Sequence, residues 1–167
     1  MTGDRTLVVV DMQSHFLQFD SAKTLINSIC ELIQIARHQK WGIILVKFGS
    51  GPVAPAIKAA TCGYHRLEEV EKYSMDGGEN VVSCLGWNWS WSRNLLVCGV
   101  YGDACVYFTV GGIAERDPSV EISVVSDLVH PSYPTGEDIE TGEREEQLVS
   151  LDTIKCLYES IHSRVSQ

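Results

Sequence analysis

Residues 95–106 read LLVCGVYGDACV, a stretch that passes from an apolar run through a tight turn into the first turn of a helix. An uninterrupted apolar run of this length is typical of a strand that is buried on both faces of a parallel sheet. Two earlier runs have the same character, at residues 7–10 and 43–46. Apolar residues at helical spacing over 21–39 separate those two runs, so strand and helix alternate along the chain.

This alternation predicts an α/β fold in three layers, with a central, mostly parallel sheet between helices, as one domain over residues 1–167. Four strands are predicted, the fourth over 120–125. The predicted helices cover 21–39, 78–85, 104–114 and 144–165. In such folds ligands bind outside the carboxyl ends of the strands. Residues 49–64, rich in Gly, Pro and small side chains, follow the second strand as a long irregular connection, which we expect to be functional or partly mobile.

The composition narrows the class of protein and of partner. The 167 residues are 44% hydrophobic and 21% charged, as in an ordinary globular domain. The net charge of −9 disfavours nucleic acid, because an acidic surface repels phosphates. No apolar run is long enough to span a bilayer, and residues 1–11 lack the layout of a secretion signal, so we expect a cytoplasmic protein with no membrane partner. Six cysteines without a C-x-x-C pair favour free thiols.

Two residues at predicted strand ends are candidates for chemistry. Asp11 directly follows the first apolar run, where such folds form their sites; a carboxylate that caps a nearby loop is the alternative. Cys105 falls in the first turn of a predicted helix, whose unpaired N–H groups and partial positive charge should lower the pKa of its thiol and could stabilise an oxyanion. The alternative for Cys105 is a small buried hydrophobe. Asp103 is predicted to be the N-cap of that helix.

Other residues carry less signal on their own. Lys72 is a lone lysine, a type that usually lies on the surface. The alternating tryptophans are predicted to pack in the interior, with a pocket lining or a subunit contact as the alternatives: Trp87, Trp89 and Trp91. The histidines have no metal-ligand spacing and are expected to be surface or structural residues: His15, His38, His65, His130 and His162.

Three blocks of the chain, taken in order, resemble the isochorismatase-like cysteine hydrolase superfamily. The blocks are Leu7–Gln13 with Phe16, Glu71-Lys72 followed by Asp76-Gly77-Gly78, and Leu96–Val106 with Thr109. The run over 120–127 resembles the strand that follows the third block. The resemblance implies a catalytic triad in which Asp11 is the acid/base, Lys72 the catalytic lysine and Cys105 the nucleophile.

The resemblance also implies several features beyond the triad. It implies a sheet of about six strands and a non-proline cis peptide between Val100 and Tyr101, with the N–H groups of Tyr101 and Cys105 forming an oxyanion hole. The implied reaction is hydrolysis of a C–N bond in a small amide or ureido compound through a thioester on Cys105, without a cofactor. Self-association as a dimer or tetramer is expected. Four residues are expected by position to contact the substrate: His15, Phe16, Tyr73 and Tyr101.

Departures from the family pattern separate its branches. Nicotinamidases of this superfamily have a metal site after the second strand, built from an Asp-x-His segment and a second His. Here residues 47–52 read KFGSGP, so a metal-assisted nicotinamidase is disfavoured and no metal is expected. Isochorismatases that hydrolyse a vinyl ether lack the cysteine, so Cys105 argues against that branch. An ether hydrolase and a catalytically silent binding or assembly protein remain alternatives, and the presence of all three triad residues favours the enzyme.

Overall fold

Strands and helices alternate through the residues that the structure, a computed structural model, describes, which are 4–134 and 147–157. Their order is β1 (Thr6–Val10), α1 (Ala22–His38), β2 (Gly42–Phe48), α2 (Pro55–Thr61), β3 (Leu67–Lys72), α3 (Gly78–Trp87), β4 (Asn94–Val100), α4 (Cys105–Arg116), β5 (Glu121–His130) and β6 (Gln147–Val149). A 3-10 turn, Ser14–Phe16, follows β1, and a last helix, α5, covers 151–157.

The strands form one sheet in the order β3-β2-β1-β4-β5-β6, and every neighbouring pair is parallel. The predicted α/β fold and the six-stranded sheet are therefore confirmed. The order reverses between β1 and β4, which are neighbours although they are first and fourth along the chain. Such a switch point opens a crevice at the carboxyl ends of the two strands. The structure thus places the segment after β1 beside the segment after β4.

Each face of the sheet has its own apolar core, because successive strand residues point to opposite sides. On one face, Leu7 and Val9 of β1 pack with α1, α2 and α5. On the other face, Val8 and Val10 pack with α3 and α4. These four apolar side chains of β1 are at most 1% exposed, and each such burial contributes about 1.5–3 kcal/mol. This two-sided burial explains why the central strands are continuous apolar runs.

Neither β3 nor α2, the helix within the connection that precedes it, was predicted from the sequence. β3 reads LEEVEK, and only its last residue is buried. It is an edge strand, where charged residues are tolerated and protect the sheet from further pairing. The segment 49–64 is not irregular throughout, because α2 begins at Pro55 within it. Proline suits the first turn of a helix, where its missing N–H would have no partner.

The predicted final helix, 144–165, was wrong at its start. Residues 147–149 form β6, in register with Ser123–Val125 of β5, and the helix begins only at Leu151. Residues 144–146 and 158–165 of the predicted helix lie outside the described residues. Within the described part, Leu151 and Ile154 are buried as expected, whereas Leu148 is 44% exposed.

The tryptophans do not all pack in the interior. Trp91 is buried, and its ring lies so close to Gly42 that any side chain at that glycine would collide with it. Trp87 and Trp89 are 79% and 86% exposed, so the packing prediction was wrong for these two. None of the described helices has the length and apolarity that crossing a membrane requires.

Candidate functional site

Asp11 is the first residue beyond β1, and it turns the chain sharply. Its φ is 52°, in the left-handed region, which Asp tolerates better than most residues. Its N–H donates to the Val46 carbonyl at 2.8 Å, and its own carbonyl accepts from the Gln13 N–H at 2.7 Å. The residue is 1% exposed. The strand therefore ends in a carboxylate that is buried at the carboxyl edge of the sheet.

Lys72, the last residue of β3, provides the matching positive charge. Its strand is separated from β1 by β2, and the long side chain crosses this gap, so that Nζ lies 3.0 Å from the Asp11 Oδ2. The ammonium also donates to the Ser74 carbonyl at 3.0 Å. The side chains of Asp11 and Lys72 are both nearly inaccessible to solvent. The ends of β1 and β3, with β2 between them, and a long lysine stem thus form a buried ion pair.

Cys105 joins this pair from the switch point of the sheet. It is the first residue of α4, is partly buried, and interacts with both Asp11 and Lys72. Two glycines allow this approach. Gly99 has a φ of 122°, and a Cβ there would lie 2.1 Å from the Val10 carbonyl oxygen; a Cβ at Gly102 would lie 2.2 Å from that of Pro131. The structure therefore brings Asp11, Lys72 and Cys105 together.

Burial raises the pKa of both the Asp11 carboxyl and the Cys105 thiol. It raises the pKa of Asp11, although Cys105, Lys72 and His15 act in the opposite direction. Burial, together with the hydrogen bond to Asp11 and the negative charge of that carboxylate, raises the pKa of Cys105 to about 11, and the Lys72 charge only partly offsets this. The predicted lowering of the Cys105 pKa was therefore wrong, because desolvation and a neighbouring anion outweigh the helix terminus. At neutral pH the group holds a protonated thiol beside Asp11.

The turn before α4 leaves two backbone donors without backbone acceptors. Among residues 4–134 and 147–157, neither the Tyr101 N–H nor the Cys105 N–H donates to a carbonyl. The Tyr101 carbonyl accepts from the N–H groups of Ala104 and Val106, both at 3.1 Å, and the peptide bond between Val100 and Tyr101 is cis. The N-cap of α4 is Ala104, so the N-cap prediction for Asp103 was wrong; the side chain of Asp103 is exposed instead.

Three of the four predicted substrate-contacting residues lie in one aromatic group beside the site. The rings of His15 and Phe16 are 4.1 Å apart, and the Phe16 and Tyr101 rings meet edge to face at 6.5 Å. The Tyr101 hydroxyl donates to the Phe16 carbonyl. Tyr73 lies apart from this group: it is 76% exposed, and its hydroxyl donates to Glu71.

Two residues that the sequence analysis missed belong to this environment. Phe48, the last residue of β2, packs edge to face on Phe16 at 6.3 Å and lies against the Lys72 ammonium. Gln13 is fully buried two residues after Asp11. Their positions in the sequence could have indicated them, because Gln13 follows β1 and Phe48 ends β2 at the carboxyl edge of the sheet. Contacts between neighbouring strands were not readable from the sequence.

The Asp76-Gly77-Gly78 segment supports the site by fixing α3 against α4. The Gly77 N–H donates to the Thr109 hydroxyl at 3.0 Å, and the Gly78 N–H to Asp76 Oδ1 at 2.7 Å. A Cβ at Gly78 would lie 2.4 Å from the Gly112 carbonyl carbon, so the two helices touch through glycine backbone. These contacts join the segment after β3 to α4, the helix that begins at Cys105.

Known proteins resemble this chain in structure more than in sequence. No family model and no curated protein matches it. N-carbamoylsarcosine amidase from Thermoplasma acidophilum is 20% identical, with 90% of this chain and 98% of that chain covered at a TM-score of 0.69. The Escherichia coli YcaC gene product, an octameric hydrolase of unknown specificity, is 18% identical, with 93% and 79% covered at a TM-score of 0.70.

A third solved structure gives the fold its family name. An isochorismatase-like hydrolase from Alkaliphilus metalliredigens is 14% identical, with 93% of this chain and 99% of that chain covered at a TM-score of 0.70. The two chains agree in fold over nearly the full length of both. The chain therefore has the fold of the isochorismatase-like hydrolases, as the resemblance of its sequence implies.

Proposed function

We propose that this protein is a cysteine hydrolase that cleaves a C–N bond in a small amide or ureido compound through a thioester on Cys105. The observation that carries the proposal is the buried Asp11–Lys72 ion pair in contact with Cys105. Apart from these two neighbours, neither Asp11 carboxylate oxygen has a hydrogen-bond partner within the described residues. A buried ion pair adds little to stability, whereas an under-satisfied carboxylate beside a thiol is suited to accept a proton.

The first half of the reaction begins from the protonated thiol. Because the Cys105 pKa is raised to about 11, the thiol must lose its proton as it attacks. Asp11 accepts this proton while Sγ forms a bond to the substrate carbonyl carbon, and the Lys72 ammonium stabilises the negative charge that develops on sulfur. The raised pKa of Asp11 makes its carboxylate a stronger base for this step.

The second half releases both products and restores the enzyme. The protonated Asp11 gives its proton to the leaving nitrogen, the C–N bond breaks, and a thioester remains on Cys105. A water molecule then attacks the thioester while Asp11 takes one of its protons. The C–S bond breaks, the acid product leaves, and the proton returns from Asp11 to the thiolate.

The oxyanion of each tetrahedral intermediate is assigned to the backbone donors before α4. The N–H groups of Tyr101 and Cys105 have no carbonyl acceptor among the described residues. Donors that are fixed before the substrate arrives need no reorganisation during the reaction, which is why such sites are effective. The neighbouring rings of Phe16 and Tyr101 are proposed to contact the rest of the substrate.

A screen of small amides and N-carbamoyl compounds tests the proposal, with release of ammonia or amine as the readout. Wild-type protein is expected to hydrolyse at least one compound, and Cys105→Ala to lose at least about 1,000-fold in kcat. Cys105→Ser is the matched control, because it keeps the size of the side chain at the same helix terminus and replaces the thiol with a hydroxyl, a weaker nucleophile. Hydrolysis by Cys105→Ala at the wild-type rate would contradict the proposal.

Two further properties belong to the proposal. All six cysteines are free in the structure, which supports a reducing compartment such as the cytoplasm: Cys30, Cys62, Cys84, Cys98, Cys105 and Cys156. We also propose self-association as a dimer or tetramer, which the octameric Escherichia coli hydrolase of the same fold makes reasonable.

A further inference from the structure

The Phe48 ring covers the Lys72 ammonium. The two residues are register partners at the ends of β2 and β3, so their side chains leave the sheet on the same side. Lys72 Nζ lies 4.7 Å from the centre of the Phe48 ring. Lys72 is 2% exposed, whereas Phe48 is 36% exposed. The ring therefore lies between the ammonium and the solvent.

One buried side chain holds Phe48 in this position. The Gln13 Oε1 accepts from the Phe48 N–H at 2.7 Å, and Nε2 donates to the Phe48 carbonyl at 3.1 Å and to the Gly51 carbonyl at 2.9 Å. The next residue is tied to the other side, because the Gly49 N–H donates to the Lys72 carbonyl at 2.9 Å. The end of β2 is thus fixed to the segment after β1 and to β3 at once.

We propose that Phe48, held by Gln13, is a positioning residue that keeps the Lys72 ammonium dry and in place beside Asp11 and Cys105. The chemical consequence of this proposal rests on the proposed function. The ammonium contacts Asp11 and the Ser74 carbonyl at 3.0 Å each and interacts with Cys105, and the ring face of Phe48 lies 4.7 Å away. A cation over an aromatic face is stabilised most where water is excluded. An aliphatic side chain would fill the space without offering that face.

A role in substrate binding alone would have different consequences. Phe48 also packs on Phe16 in the aromatic group beside the site, so its loss could raise KM through lost substrate contact. That role predicts no change in the Lys72 ammonium of the free enzyme. The positioning role predicts a change at Lys72 and Cys105 before any substrate is bound, and a lower kcat.

The test uses the full-length protein with Phe48→Leu, with Phe48→Tyr as the conservative variant that keeps the ring. Phe108→Leu is the matched control, because Phe108 is an exposed aromatic on α4 whose ring contacts Tyr107. The first readout is the rate at which the Lys72 ammonium protons exchange with water, measured by nitrogen-15 NMR. The second is the rate of Cys105 alkylation by iodoacetamide at pH 9, measured by peptide mass spectrometry.

In Phe48→Leu we expect ammonium exchange to become at least about tenfold faster and Cys105 alkylation to become about three- to thirty-fold slower. Alkylation slows because the Lys72 charge favours the Cys105 thiolate and lowers the pKa of that thiol. If Phe48→Leu only opened the site to the reagent, alkylation of Cys105 would become faster instead. Phe48→Tyr and Phe108→Leu should stay within about twofold of wild type in both readouts, since each keeps the ring at position 48.

Gln13→Met provides a second test, because it nearly keeps the volume of the side chain and removes the amide that holds Phe48. We expect the same two changes as in Phe48→Leu. If Gln13→Met does not fold, the Phe48 variants decide alone. Ammonium exchange and alkylation within twofold of wild type in Phe48→Leu would overturn the positioning role, and if Cys105→Ala is inactive the proposed function would stand. Hydrolysis that persists in Cys105→Ala would instead overturn the proposed function.

Discussion

At the scale of single residues, the site combines a carboxylate and a thiol that both hold their protons more firmly than usual. Burial is the first cause in each case, and it raises the pKa of Asp11 and of Cys105. The Lys72 ammonium opposes the shift at both groups. A resting thiol would protect the proposed nucleophile from adventitious oxidation, since the thiolate is the reactive form. In the proposed reaction, transfer of its proton to Asp11 couples activation to the attack on substrate.

Removal of the Asp11 charge should affect alkylation and hydrolysis in opposite directions. The Asp11 carboxylate raises the pKa of Cys105, so Asp11→Asn should speed iodoacetamide alkylation of Cys105 at pH 8 by on the order of tenfold. Hydrolysis of the best amide should fall at least about 100-fold, because the general base is lost. Alkylation and amine release, measured on the same preparation, check this prediction. A parallel fall in both rates would mean that Asp11 acts by holding the fold.

Removal of one partner of the buried ion pair should destabilise the protein, whereas replacement of both partners by apolar residues should not. Lys72→Met is expected to lower the free energy of unfolding by about 3–5 kcal/mol at pH 7, because it leaves the Asp11 carboxylate without its counter-charge. The double variant Asp11→Leu/Lys72→Met should have a free energy of unfolding that is within about 1 kcal/mol of the wild-type value or higher than it. Urea denaturation of the two variants gives both numbers.

The stability of Lys72→Met should also depend on pH with a definite sign. The Asp11 pKa is already raised in the folded protein, and loss of the ammonium raises it further. The folded state then binds the proton more tightly than the unfolded state, so stability falls as pH rises from about 3.9 through the folded pKa. The destabilisation should therefore shrink as the pH is lowered toward about 4. A destabilisation that is constant between neutral and acidic pH would contradict the assignment.

The sequence and its family resemblance predicted three residues that the structure brings together, and missed their surroundings for a physical reason. Asp11 and Cys105 follow strands, and this placement can be read along the chain. The contact of Phe48 with Lys72 lies between two strands, and the direction of the Cys105 pKa shift depends on how deeply the thiol is buried. Both depend on tertiary packing, which no local pattern contains.

At the scale of secondary-structure elements, glycine backbone brings β4 close enough to β1 for the site to form. Gly99 sits where the pairing of β4 with β5 shifts register, and its φ of 122° is one that other residues rarely adopt. A Cβ at this position would lie 2.1 Å from the Val10 carbonyl oxygen. The end of β4 and the start of α4 would have to move away from Asp11 to make room.

Gly99→Ala should therefore reduce both stability and activity. The strained φ alone should lower the free energy of unfolding by about 1–3 kcal/mol, and the collision with Val10 should add to this. We expect kcat to fall about 100-fold, because a displacement of about 1 Å is enough to separate reacting groups. Thermal unfolding and steady-state kinetics provide the measurements.

Gly86→Ala is the matched control within α3. A Cβ at Gly86 meets no atom within 4 Å, so alanine should stabilise the helix by about 0.4–1 kcal/mol and leave kcat unchanged. Equal effects of the two substitutions would contradict the role given to Gly99.

Local sequence patterns predicted the buried elements better than the exposed ones. β1, β2, β4 and α1 were predicted to within two residues of their ends, because burial on both faces or on one stripe leaves a clear apolar pattern. The predicted strand 120–125 stops five residues before the end of β5. β3 was missed because its exposed residues are mostly glutamates, of which Glu69 pairs with Lys47 and Lys58 across the surface. β6 has three residues and is held in the sheet by register with β5 rather than by a pattern of its own.

At the scale of the whole molecule, the strand order brings distant segments together. Asp11 and Cys105 are far apart in the sequence, and they meet because β1 and β4 are neighbours at the switch point. Alternation of strands and helices predicted a parallel sheet, but it did not predict which strands would be neighbours. The family resemblance implied about six strands where the local pattern indicated four, and the six-stranded sheet agrees with the resemblance.

Self-association is the prediction that belongs to this scale. Light scattering coupled to size exclusion should give a mass two or four times that of the 18.5 kDa chain. Trp87 and Trp89, which are largely exposed, can report which surface is covered, because an interface there would protect them from iodide quenching. A mass of one chain at every concentration would contradict the prediction.

The most direct test of the central claim is the search for an acyl group on Cys105. Wild-type protein mixed with p-nitrophenyl acetate and quenched within the first turnover should carry an acetyl group on the peptide that contains Cys105, and the group should disappear as the thioester hydrolyses. Cys105→Ala, which retains the other five cysteines, serves as the control for nonspecific acylation. We expect a transient adduct at Cys105 in wild type. Hydrolysis by wild type with no adduct at Cys105, or at an equal rate in Cys105→Ala, would contradict it.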